Sequence, residues 1–135
     1  MKVTCLQENL AKGLSIVSRA VAARSTLPVL GNILLATDNG RLRLSATNLE
    51  LGITCWIGAK IEDEGSITLP AKTLVDMVNT LPADNVQLGL SARTQTVNLN
   101  CGRIKASIKG IDAQEFPAIP LADIDAAIQL NVEDL

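Results

Sequence analysis

Histidine and tyrosine are absent from the 135 residues, and phenylalanine and tryptophan occur once each. Without histidine the chain lacks the side chain that most often serves as a general acid or base near neutral pH. With so few rings it also lacks the platform on which single-stranded bases stack. Three cysteines, Cys5, Cys55 and Cys101, stand far apart with no Cys-x-x-Cys pair. That is the pattern of small core residues in a reducing compartment, not of a disulfide frame or a metal site. No apolar run approaches membrane-spanning length. The N-terminus, Met1-Lys2-Val3-Thr4-Cys5, alternates like a strand and lacks the charged, apolar, small-residue order of a secretory signal. These absences point to a cytoplasmic chain with no catalytic residue, no metal, no cofactor and no membrane partner.

The length suits one domain with something left over. An apolar content of 47% against 19% charged residues separates the chain from disordered sequences. Its net charge of −2 conceals an asymmetry: residues 1–60 carry seven Lys or Arg against three acids, and residues 61–135 carry five against eleven. An acidic total is unusual for a duplex-binding protein, so any DNA contact must rest on local placement of cations and must be weak and salt-sensitive.

Two passes of one pattern run along the chain. A strand at residues 3–6 leads into a helix over 7–21, with Leu6, Leu10, Leu14, Val17 and Val21 as one apolar stripe and Glu8, Lys12, Ser15 and Arg19 on another face. The stretch Arg24 to Leu35 follows. There a Pro-led turn, a Gly-Asn pair and an apolar run anchor a loop that presents Arg24. Strands are expected at 33–37, 42–46, 51–57 and 66–69, the first two joined by a hairpin at Asp38-Asn39-Gly40. After Pro70 a second helix over 71–81 buries Leu74, Val75, Val78 and Leu81, and alternating runs at 86–90, 97–101 and 104–108 complete the second pass. The fold expected is α+β, two pseudo-repeated strand-helix-strands units with both helices on one face of antiparallel sheet. Residues 110–120 read as a Pro-punctuated connector. Residues 128–135 echo the start of the chain, so they look like the truncated start of a further repeat, frayed after about Pro120.

Arg24 with Thr26-Leu27-Pro28-Val29-Leu30-Gly31-Asn32, then Ala46-Thr47-Asn48-Leu49-Glu50-Leu51, Leu69-Pro70-Ala71-Lys72 and Glu115-Phe116-Pro117 occur in that order. In these pieces the chain resembles the first domain of the bacterial DNA polymerase III beta subunit, the replicative sliding clamp. The resemblance implies a DNA-clamp domain over 1–120, with 121–135 a connector and the start of a second clamp domain. It further implies a non-catalytic processivity factor of the replicative polymerase, a DNA-directed DNA polymerase, in which two subunits close head to tail around duplex DNA. Arg24, Lys72, Arg19 and Lys12 would then meet phosphates without reading sequence. Arg103, Lys105, Ala106 and Ile108 would sit at the subunit interface, with Ala106 where a bulkier apolar residue is common. Polymerase and clamp loader would bind through domains beyond this chain.

Each residue also has a plainer reading. Arg24, Lys12 and Arg19 can be solvated cations, and Arg103 and Lys105 can be edge-strand gatekeepers against aggregation. Lys72 opposes the helix dipole in a first turn, which asks for a reason. Glu8, Glu50, Asp76 and Asp112 fit helix-surface and turn roles, and Trp56 fits a packing or inter-sheet role. From other classes, a small ligand-binding or enzyme domain would gather its polar residues in a cleft, and an oligomerisation module would use its exposed edge.

Overall fold

The computed structural model describes residues 1–21 and 28–117. β1 (Lys2–Leu6) runs straight into α1 (Gln7–Val17), which tightens into a 3₁₀ turn at Ser18–Ala20. A second 3₁₀ turn at Pro28–Gly31 opens a meander of β2 (Asn32–Asp38), β3 (Arg41–Thr47) and β4 (Gly52–Gly58). After β5 (Lys60–Asp63) the order repeats: β6 (Ser66–Pro70), α2 (Ala71–Asn79), and a second meander of β7 (Asn85–Ser91), β8 (Thr96–Cys101) and β9 (Ile104–Lys109).

The strands form two antiparallel sheets, ordered β5-β1-β7-β8-β9 and β4-β3-β2-β6. Each unit lends its leading strand to the other unit's meander. β1 pairs with β7, and β6 pairs with β2. The exchange makes the two passes one cooperative body, because neither unit can complete a sheet alone. Local periodicity reports the strands but neither this swap nor the division of the antiparallel sheet into two.

Both helices pack against each other, and one buried cluster joins them to the inward residues of both sheets, with Leu10, Leu14, Leu44, Leu74, Leu88 and Leu99 at its heart. The hairpin at Asn39-Gly40 forms as the sequence predicts, with φ of 49° and 80°, the left-handed pair that a two-residue turn of this hand requires. The first helix is shorter than expected, its last turn being 3₁₀. Leu6 departs from the stripe and is 45% exposed, because it ends β1 and its side chain follows the two-residue period of the strand. β5 was not foreseen. It is short, highly charged and at a sheet edge, so it carries little apolar alternation.

Past β9 the chain crosses back over β6. Thr68 and Ile111 exchange backbone hydrogen bonds of 3.0 and 2.9 Å, and the Thr68 hydroxyl donates to the Ile111 carbonyl at 2.8 Å. The expected frayed tail and repeat start, residues 118–135, lie outside the described residues.

Candidate nucleic-acid interface

Successive residues of an α-helix turn by about 100°. On α1 this places the buried Leu10, Gly13, Leu14 and Val17 on one side and Glu8, Lys12 and Ser15 on the opposite, exposed side. Arg19, in the 3₁₀ turn that follows, is exposed as well. On α2, Ala71, Leu74 and Val78 are buried while Lys72, Asp76 and Asn79 face out. Lys72 stands in a first turn that holds no acid.

Register and hydrogen bonds fix how the helices lie. The Gln7 side-chain amide donates to the Val78 carbonyl at 2.9 Å, and the Gln7 backbone N–H donates to the Asp84 carbonyl at 2.9 Å. The start of α1 therefore meets the end of α2. At the other end, the turn after α1 packs on β3 and β4, and α2 springs from Pro70, which pairs with Asn32 beside the Thr47–Gly52 end of the four-stranded sheet. The helices are antiparallel, and Arg19 and Lys72 are brought to one end of the fold. Lys12 lies midway, on the rim of an open groove between α1 and β4 lined by Asn9, Gly13, Ile16, Cys55 and Ile57. Among the described residues the ion pairs are Lys2–Glu62 and Arg43–Asp38, at 3.4 and 3.6 Å, so Lys12, Arg19 and Lys72 have no acidic partner there. Arg24 lies outside the described residues.

A feature missed in the sequence shares this end. Between β3 and β4 the Asn48 carboxamide oxygen accepts from the N–H groups of Glu50 and Leu51, and the Thr47 hydroxyl accepts from Leu49 N–H and donates to the Leu51 carbonyl. The loop so held fixes Leu49 at φ 79° with 53% of its surface exposed. The Thr-Asn pair ahead of it is the turn signal that sequence reading had available.

Among the described residues the proposed subunit edge, β9, pairs only with β8. Arg103 precedes it in an exposed turn. Lys105 and Lys109 are exposed on the side away from the core, while Ala106 is half-buried and Ile108 buried. β4 is the corresponding outer strand of the other meander and, among the described residues, is also open on one side. Trp56, on β4, faces away from the helices. Its indole N–H donates to Asp38 at 2.8 Å, and the Arg41 guanidinium sits 5.7 Å from its ring. That is a packing role on an outer face, not one between sheets.

Burial pushes the thiols of Cys5, Cys55 and Cys101 upward, Cys5 to about 12, and the charge of Asp84 adds to the effect at Cys101. All three cysteines are free. Among the described residues no group of three or more Cys, Asp or Glu is gathered closely enough to hold a metal ion, and no helix is long and apolar enough to cross a membrane.

Residues 1–120 match the family of the DNA polymerase III beta subunit, N-terminal domain. The beta sliding clamp of Synechococcus elongatus is 44% identical across 100% of this chain and 36% of its own length. That of Synechocystis sp. is 42% identical across 91% of the chain and 33% of its own length. The solved DNA polymerase sliding clamp of Caulobacter crescentus superposes with a TM-score of 0.83 at 36% identity, covering 88% of this chain and 32% of that one. The DNA polymerase III subunit beta of Pseudomonas aeruginosa gives 0.82 at 30% identity, covering 88% and 32%. The chain thus spans about a third of the length of these relatives. With its two helices and its pair of antiparallel sheets matching those structures, this chain belongs to the DNA polymerase III beta subunit family and corresponds to the N-terminal domain of that subunit.

Proposed function

We propose that the chain serves as the first domain of a DNA sliding clamp, a non-catalytic processivity factor that encircles duplex DNA and tethers the replicative polymerase in the cytoplasm. The observation that carries this reading is the antiparallel helix pair, whose outward faces offer Lys12, Arg19 and Lys72 unpaired among the described residues, in a chain of this family. Such cations meet phosphates without reading bases. Few are needed if the duplex is held topologically, and few are desirable if the ring must slide. Arg24 joins them as a phosphate contact.

Residues 1–120 form the domain and residues 121–135 begin the next, a division supported by the extent of the family match. The open edges suit a ring. β9, with Arg103, Lys105, Ala106 and Ile108, takes an edge of the other subunit in a head-to-tail dimer, and β4 takes the domain that follows. Polymerase and clamp loader bind outside this chain. The test joins this chain to the remaining length of the Synechococcus elongatus relative and follows the chimera on nicked circular and linear duplex. Retention on circles and rapid run-off from linear DNA are expected. A folded chimera that leaves both templates at the same rate would sink the proposal.

A further inference from the structure

Resting on the clamp reading, the order of charges along the two helices carries a further step. Measured from the Thr47–Gly52 end of the four-stranded sheet, cations come first on both helices: Arg19 in the turn that closes α1, and Lys72 in the first turn of α2. Acids lie further along, Asp76 one turn into α2 and Glu8 at the start of α1, with Lys12 between Arg19 and Glu8 on the same outward face. At about 1.5 Å per residue, Glu8 is roughly 16 Å from Arg19 along the axis and Asp76 roughly 6 Å from Lys72. All four are exposed, and none is in an ion pair among the described residues.

Helix energetics asks for the opposite order on α2. An acid belongs in the first turn and a cation near the end, and Glu or Asp preceding Lys by four residues is the better orientation. Lys72 therefore opposes the dipole of its own helix, and Lys72 ahead of Asp76 is the weaker order of that pair. On α1, Glu8 ahead of Lys12 obeys the helix rule, so α1 alone would prove nothing. What the antiparallel packing adds is a common direction.

We infer that the DNA-facing surface is electrostatically graded along the helices: Arg19 and Lys72 grip phosphates at the Thr47–Gly52 end, while Asp76, one turn further along α2, and Glu8, at the far end of α1, repel the backbone. The acids thereby cap the number of ionic contacts that this domain makes and keep its hold loose enough to slide.

The experiment titrates the isotope-labelled chain with a short duplex at low salt and maps the NMR shift changes. Shifts in the wild type should gather at Arg19, Ala20, Ala71 and Lys72, weaken toward Lys12 and be small at Glu8 and Asp76. In the double variant Glu8→Gln, Asp76→Asn, whose changes are at exposed positions, the footprint should spread to both acidic positions. Affinity should rise roughly two- to fivefold at low salt, with the gain fading at high salt because exposed charges are screened. Equal perturbation of both ends in the wild type would overturn the inference, as would an unchanged footprint and affinity in the double variant, and both results would leave DNA binding by the helices intact. A wild type with no shift on either helix at any duplex concentration would overturn the DNA reading and this inference with it.

Discussion

Gly13 decides how near α1 comes to the sheet. A methyl there would stand 2.7 Å from Leu44 Cδ1 and 3.1 Å from Ile57 Cγ2, and Leu44 is fully buried. Overpacking costs about 1–3 kcal/mol, against a gain of about 1 kcal/mol in helix propensity. Gly13→Ala should therefore lower the urea-unfolding free energy by roughly 1 kcal/mol, while Ser15→Ala on the exposed face should not lower it. An unaltered Gly13→Ala midpoint would mean that helix and sheet separate freely. Cys5 makes a second residue-level case. The unfolded thiol ionises near its ordinary 9.0, whereas the fold holds the proton to about 12. The folded pKa is the higher one, so this contribution is fully present below about pH 9 and is lost as the pH rises toward 12. The thermal midpoint should fall through that window, and fall less steeply in Cys5→Ala. Parallel slopes would assign the loss to other groups.

At the scale of elements, one hydroxyl links the side chains and backbone where β2, β6 and the connector meet, beside the Thr68–Ile111 backbone pair. The buried Asn32 side chain donates to Thr68 Oγ1 at 3.0 Å, and Thr68 Oγ1 passes a hydrogen bond on to Ile111 at 2.8 Å. Thr68→Val keeps the shape and removes both contacts, leaving the Asn32 amide buried without this acceptor, at a cost of about 1–3 kcal/mol. Faster hydrogen exchange at Ile111 should accompany it. Exchange that quickens nowhere near Ile111 would show that the backbone pair alone docks the connector. This junction was not legible in the sequence, since Asn32, Thr68 and Ile111 are far apart in the chain and carry no periodic signal. Asn39-Gly40 and the two helix stripes were legible, because turn chemistry and a 3.6-residue period are local properties.

For the whole molecule, the described edges are not equally protected. β5 carries Lys60, Glu62 and Asp63, β9 carries Lys105 and Lys109, and β6 receives the Ile111 bridge. β4, with the sequence GITCWIG, carries no charge. Unguarded edges recruit strands, so this chain by itself should self-associate through β4 more than through β9. Thr54→Lys, on the outer face of β4, should shift sedimentation toward monomer, whereas Lys105→Thr should not. Association that is insensitive to Thr54→Lys but altered at Lys105 would return the contact to β9.

The sequence by itself determined both described helices, every described strand but β5, the apolar faces apart from Leu6, the tight hairpin, and the exposure of Lys12, Arg19 and Lys72, because these follow from residue spacing and turn chemistry. Four motifs in order also sufficed to indicate the family. Only the tertiary structure decided that each unit's first strand completes the other unit's sheet, that the helices run antiparallel, and that Arg19 and Lys72 are brought to one end with Glu8 at the other. Those facts depend on pairing between residues distant in the chain, where the favourable burial is shared by segments whose own patterns say nothing of one another.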